Sequence, residues 1–325
     1  MARPERCGEQ WLVADIGGTR LRAALSDGGT PIHTLCEMDC AAFAGPGAAL
    51  DAYLAQTGAK PVAAGLAVAG PVAGDEFRFT NNPWVFSQKA LREHLGLRRL
   101  LLLNDFEALA QALPSLTASD LHPLGRPMPR AEGRLPLAVL GPGTGLGVAA
   151  LMPHAHGWTA LPGEGGHIGF APQDDLEREI DRVLRRAVTR VSNETILCGA
   201  GLVALYRALA AIEGRTGVPD IGAADIAQLA LAGTEALALR AVDVFCAVLG
   251  AVAGDVALLT GARGGVFIGG GIAPRLLPLL EASRFRTRFE DKGMQRDYAG
   301  AIATSVIVAP VPALAGAVAA LRANA

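Results

Sequence analysis

Apolar and polar residues alternate in blocks along this chain, and the blocks predict strands and helices in turn. Residues 11–15 (WLVAD) are a short apolar run ending on Asp15; Ile-Gly-Gly-Thr follows, and RLRAAL resumes at 20–25. That pattern reads as strand, glycine turn, strand. The runs VAAGLAVA (62–69) and LLLL (100–103) predict two buried strands, the second ending in Asn104-Asp105. Phe106, Leu109, Ala110 and Leu113 then recur at helical spacing, and Pro114 ends the helix.

The opening pattern returns about 126 residues later: LPLAVL (135–140), the turn Gly141-Pro-Gly-Thr-Gly145, and an apolar run over 146–151. A repeat of this kind predicts two related α/β halves. The polar, Pro-rich stretch 115–134 is the natural crossover between them. Helical patterns cover 176–188, 201–212 and 236–259; GVFI (265–268) predicts a strand, followed by Gly269-Gly270-Gly271 and a helix near 274–281. A strand at 305–308 and a helix at 313–321 close the chain. Strands alternating with helices predict an α/β fold with mainly parallel sheets.

Composition narrows the classes. Of 325 residues, 51% are hydrophobic and 18% charged, which excludes disorder and suggests about two domains. A net charge of −2 excludes binding to nucleic acid or anionic membrane through overall charge. The five cysteines (7, 36, 40, 198, 246) show no tight pairing pattern, and a polar N-terminus lacks a signal-peptide core, so a cytoplasmic protein with reduced thiols is expected. Residues 298–321 carry no charge and are long enough to span a membrane, but Pro310 and Pro312 break them into a buried strand and a buried helix.

Several constellations can carry chemistry. Two glycine turns, at Ile16-Gly17-Gly18-Thr19 and Gly143-Thr144, lie between apolar strands and can cradle phosphate with backbone N–H groups. Neither is a Walker or a GxGxxG loop. Asp15 either holds the water shell of a Mg²⁺ ion or caps the turn. Asn104 and Asp105 are at once good helix caps and, at a strand C-terminus, candidates for a general base and its organiser. Glu164 and His167, set among four glycines in LPGEGGHIG (161–169), suit a hydroxyl clamp better than zinc, because metal-ligand spacing is lacking. Glu194 is a second acceptor or simply an early-helix carboxylate. Gly269 and Gly270 either admit a flat base or ribose or serve only a turn.

The segments DIGGT (15–19), TNNPWVFS (80–87), LLNDFEALAQALP (102–114), GPGTGLGVA (141–149), LPGEGGHIGFAP (161–172), GAGLVALYRA (199–208), GGVFIGGGIAPR (264–275) and FEDKG (289–293) come in one order. From about residue 11 to about 320, the chain resembles the bacterial glucokinase family of the hexokinase/actin-like ATPase superfamily. The resemblance implies a two-domain actin-like ATPase (ribonuclease H-like) α/β fold with an interdomain cleft. Residues 1–115 plus 306–325 would form the small domain and 116–305 the large one. It implies transfer of the ATP γ-phosphoryl group to O6 of glucose, with ATP and Mg²⁺ as cofactors and a homodimer as the assembly. Asp105 would be the base, and Asn104, Glu164, His167 and Glu194 the glucose contacts. Asp15, Ile16, Gly17, Gly18 and Thr19 match the first phosphate motif, Gly143 and Thr144 the second, and Gly269 and Gly270 the adenosine loop; Asp15 would hold Mg²⁺ through water.

Two departures stand out. The family often has Asn where this chain has Arg20, and a Gly-rich stretch where it has Pro312-Ala-Leu-Ala-Gly316. The cysteine cluster that binds zinc in the related ROK (repressor/kinase) sugar kinases is absent after His167, which points to the zinc-free branch. The main alternative is a kinase of mannose, glucosamine or an N-acetylhexosamine on the same fold. A sugar-responsive regulator lacks its DNA-binding element here, and a chaperone-like ATPase would not need the carboxylate clamp.

Overall fold

The apolar run at 11–15 becomes the central strand of a five-stranded sheet. In the computed structural model, which describes residues 8–29, 31–79, 82–125 and 134–324, the strands are β1 (Gln10–Ile16), β2 (Arg20–Asp27), β3 (His33–Asp39), β4 (Ala63–Val68) and β7 (Arg99–Asn104). A small hairpin of β5 (Glu76–Arg78) and β6 (Val85–Ser87) lies outside this sheet. The sheet order is β3-β2-β1-β4-β7. Helices α1 (Pro46–Thr57), α2 (Gln88–His94) and α3 (Asp105–Ala112) accompany it. The chain divides into two units: Met1–Leu116 with His154–Ala160 and Ala309–Ala325, and Thr117–Pro153 with Leu161–Val308.

In the first unit, β1 is buried on both faces because its alternating side chains serve two cores. Leu12, Ala14 and Ile16 pack with Leu50 and Tyr53 of α1. Trp11 and Val13 pack with Leu314, Ala317, Val318 and Leu321 of the final helix, Pro312–Ala323. That helix also crosses α3 closely enough that a Cβ added at Gly316 would lie 1.6 Å from the Ala108 carbonyl oxygen.

The second unit holds a six-stranded sheet, apart from His154–Ala160, which group with the first unit. Its strands are β8 (Leu121–Leu124), β9 (Leu137–Pro142), β10 (Leu146–His154), β11 (Gly157–Gly163), β12 (Gly265–Ile268) and β13 (Thr304–Ile307), in the order β11-β10-β9-β12-β13-β8. Its helices are α4 (Asp175–Leu184), α5 (Asn193–Ile196), α6 (Gly199–Ile212), α7 (Ala223–Ala232), α8 (Ala236–Thr260), α9 (Leu277–Ala282), α10 (Phe285–Glu290) and α11 (Arg296–Gly300); the final helix is α12. Leu140, Val266, Ile268 and Val306 from the sheet join Leu205, Leu209, Phe245 and Leu249 from α6 and α8 in one core. Pro123 of β8 sits on an edge strand, where a missing N–H costs no ladder bond.

The repeat read from the glycine turns has a topological counterpart. In each unit the strand after the turn lies beside the strand before it, and two later strands add in sequence on the other side. The sheets are mixed, however, and not mainly parallel as the alternation of strands and helices predicts. β1 pairs antiparallel with β2 and parallel with β4, while β9 pairs antiparallel with β10 and parallel with β12. The reason is local: a turn of two or three residues can join only antiparallel neighbours.

The charge-free segment 298–321 forms β13, wholly buried, and most of α12, as its prolines predict. Among the described residues, α8 alone is long and apolar enough to cross a membrane, and 78% of its most apolar window is buried within the protein. It serves as the core helix of its unit.

Candidate active site

In the first unit, strand register gathers the predicted residues at one sheet edge. Ile16 pairs with Val68, and Val68 with Asn104, so the first glycine turn and Asn104-Asp105 leave the sheet at the same level. This edge, beyond the carboxyl ends of parallel strands, is where open α/β sheets take ligands. The turn is closed by Gly17 N–H donating to the Arg20 carbonyl (2.9 Å). It is braced by two residues whose part was not legible in the sequence. The Asn82 side chain donates to the Gly18 carbonyl (3.3 Å), and Cys40 N–H donates to the Thr19 carbonyl (2.9 Å). Thr80 and Asn81 of the same TNNPWVFS segment lie outside the described residues.

Gly17 tests the competing reading of a mere turn. Its φ is not positive, and a Cβ there would meet only the Arg20 carbonyl oxygen at an ordinary 3.5 Å. Neither backbone strain nor a steric clash demands glycine at 17, so the turn alone does not account for it. Ile16 is fully buried, and only its backbone can face a nucleotide.

Asn104 is the N-cap of α3: its Oδ1 accepts from Phe106 N–H (2.9 Å) and Glu107 N–H (3.3 Å), while its Nδ2 donates to the Gly70 carbonyl (3.0 Å). The capping role read from sequence is therefore real, and it fixes Asp105 as the first helical residue. Asp105 is half-buried and not sealed in packing. Asp15, on β1, lies 3.7 Å from Nη1 of Arg22. Burial pushes its carboxyl above the ordinary value, and the guanidinium opposes that shift. Arg22 is also bound by Glu37 (2.8 Å), which pairs with the exposed Arg20 at 3.3 Å. Arg20 thus points its charge along the sheet surface toward β3.

In the second unit, Glu164, His167, Glu194 and the second turn form one cluster. His167 Nε2 is 3.9 Å from Glu164 Oε2, and its Nδ1 is 3.9 Å from Glu194 Oε1. All three side chains keep substantial exposure, at 59%, 63% and 32%. The glycines of GEGGH let their turn lie flat on β10. A Cβ at Gly166 would fall 2.2 Å from the Leu146 carbonyl oxygen, and one at Gly165 would fall 2.9 Å from Val148 Cβ. Glu194 is set by a capping box in which Ser192 and Thr195 bond reciprocally. The Gly269-Gly270 loop lies directly on the second turn: Gly269 N–H donates to the Leu140 carbonyl (2.8 Å), and Ile272 N–H to that of Pro142 (3.2 Å).

No group of three or more His, Cys, Asp or Glu side chains that could hold a metal occurs among the described residues. A lone carboxylate such as Asp15 suits Mg²⁺, which keeps several waters and shares its shell with phosphate oxygens. The described cysteines, 36, 40, 198 and 246, are free thiols.

A glucokinase family model matches residues 12–324. A glucokinase from Chromobacterium violaceum is 46% identical over 311 residues, 95% of this chain and 88% of its own length. The chain belongs to the glucokinase family. A crystal structure of a glucokinase from an Antarctic psychrotroph shares 37% identity and superposes with a TM-score of 0.87 over 98% of this chain and 99% of its own. A ROK-family glucokinase from Streptomyces griseus, solved with glucose and AMPPNP, shares the fold at 18% identity and a TM-score of 0.64, over 97% of this chain and all of its own. The glucokinase fold is thus a two-unit α/β architecture here, and each unit assembles its own set of the expected residues.

Proposed function

We propose that this protein transfers the γ-phosphoryl group of ATP to O6 of glucose. The observation that carries the reading is the cluster in the second unit. Three partly exposed acceptor side chains, Glu164, His167 and Glu194, adjoin a glycine turn whose unbonded N–H groups suit phosphate. A hexose and a polyphosphate are the two ligands such a cluster suits. The family supplies glucose as the hexose.

The Asp105 carboxylate accepts the O6 proton as O6 attacks the γ-phosphorus in line. The O6–P bond forms, the bond to the β-phosphate oxygen breaks, and ADP leaves. Little covalent chemistry falls to the protein, so positioning and charge neutralisation supply most of the acceleration. Asn104 holds the helix start that aims Asp105. With the Gly17 and Gly143 N–H groups spent on closing their turns, Gly18, Thr19 and Thr144 give N–H donors to the phosphates, and Gly269-Gly270 receives the adenosine side. Asp15 would hold Mg²⁺ through water, and that ion neutralises phosphate charge when bound. We place the enzyme in the cytoplasm as a homodimer, as its sequence resemblance to bacterial glucokinases implies.

Asp105→Ala is expected to lower kcat by about 10²–10⁴-fold, with glucose binding still measurable by calorimetry. An unchanged kcat in that variant removes Asp105 from the mechanism. Comparing kcat/KM across glucose, mannose, glucosamine and N-acetylglucosamine tests the sugar, since a site that bonds a hydroxyl rejects an analogue lacking it by about 10⁴-fold or more.

A further inference from the structure

Glu194 spends its two carboxylate oxygens differently. Oε2 accepts from the Leu146 backbone N–H at 2.8 Å, at the exit of the Gly143-Thr144-Gly145 turn. Oε1 faces His167 across 3.9 Å, on the side of the clamp. Gly145 is packed so tightly beneath the carboxylate that a Cβ there would lie 2.5 Å from Oε2. The segment carrying Glu194 also grips the other end of the turn, through Gly199 N–H donating to the Gly143 carbonyl (2.9 Å). Gly143 N–H donates to the Gly145 carbonyl (2.8 Å) and makes the turn one closed loop. Residues 194–199 therefore hold the glycine turn at both ends, and the same carboxylate keeps its remaining oxygen on the side of His167.

We infer that Glu194 is a positioning residue that couples the two substrates, so that sugar bound at Oε1 stiffens the phosphate turn through Oε2. This rests on the glucose-kinase reading above. A hydroxyl donating to Oε1 restrains a carboxylate that is otherwise 32% exposed, and the restraint passes through a charge-assisted bond to Leu146. Charge acts in the same direction. A bare carboxylate beside a phosphate turn opposes a polyphosphate, and hydroxyl donors disperse that charge. The coupling is reciprocal: the nucleotide tightens glucose by the same factor as glucose tightens the nucleotide.

The experiment is calorimetric titration of glucose with and without AMPPNP and Mg²⁺, and of AMPPNP and Mg²⁺ with and without glucose. In the unsubstituted protein each ligand is expected to tighten the other about fivefold or more. Glu194→Ala is expected to bring that factor to about one. Glu194→Gln, whose amide oxygen still accepts from Leu146, is expected to keep part of it. Glu164→Ala, which removes a clamp residue without touching the turn, is expected to weaken glucose while keeping the factor. In kinetics, Glu194→Ala makes KM for ATP independent of glucose concentration. Melting curves confirm that each variant is folded; where Glu194→Ala binds too weakly to titrate, Glu194→Gln against Glu164→Ala decides. A coupling factor in the Glu194 variants equal to that of the unsubstituted protein overturns the inference. So does a protein that binds both ligands with no coupling, and that result leaves the proposed function standing. A protein that binds neither ligand overturns the function itself.

Discussion

Burial sets the worth of a charge pair in this protein. Glu177 is 2% exposed and meets Arg288, 10% exposed, at 2.5 Å, while its other oxygen accepts from Gln173 N–H (2.7 Å). Removing Glu177 leaves the buried Arg288 with only the longer contact to Asp174 (3.4 Å), so Glu177→Ala should cost up to about 3–5 kcal/mol in denaturant unfolding. Arg178, one residue on, pairs with the 96%-exposed Asp175 at 2.6 Å. Arg178→Ala should change stability by less than about 1 kcal/mol. Equal losses for the two would mean that the Glu177 pair is not desolvated in solution. The sequence shows a charged amphipathic helix here but not which carboxylate turns inward, because Arg288 comes from a distant helix. Asp105 and Asn104 are legible for the opposite reason: strand end and helix start adjoin in sequence, and the local cap places both. The bond from Glu194 to Leu146 is not legible, since it joins residues 48 apart.

Among the elements, the strand-turn-strand units could be read because each is local and strongly patterned. Helix α1 could not, since Gly47 and its alanines give it little periodicity. The pairing of strands also escaped the sequence pattern, which marks buried strands without their direction. Helix α12 shows how a distant element reaches the site. It packs on α3, whose first turn carries Asp105, and Gly316 is the point of closest approach, against the Ala108 carbonyl. Gly316→Ala forces the two helices apart. Overpacking of this kind costs about 1–3 kcal/mol, read as a lowered denaturant midpoint. Because α3 must move to relieve it, kcat should fall with it while KM for glucose changes little, the clamp lying in the other unit. Undiminished stability would show that the helices are not so closely packed.

At the scale of the whole chain, the two units have separate cores. Every residue of the largest hydrophobic cluster lies in the second unit, and the cores built around β1 lie in the first. Units with separate cores can open separately, and a ligand stabilises the one that holds it. Glu164, His167 and Glu194 all belong to the second unit. Glucose at about a hundred times its Kd contributes about 2.7 kcal/mol, and for a unit of this size that raises its melting midpoint by about 5–10 °C. Scanning calorimetry should therefore show glucose moving the second unit's transition. Asp105→Ala, a change in the first unit, should leave most of that shift, while Glu164→Ala should remove most of it. The reverse ranking would place the binding energy of the sugar on the first unit, with Asn104 and Asp105 as its main contacts and the Glu164–His167–Glu194 cluster serving the nucleotide turn alone.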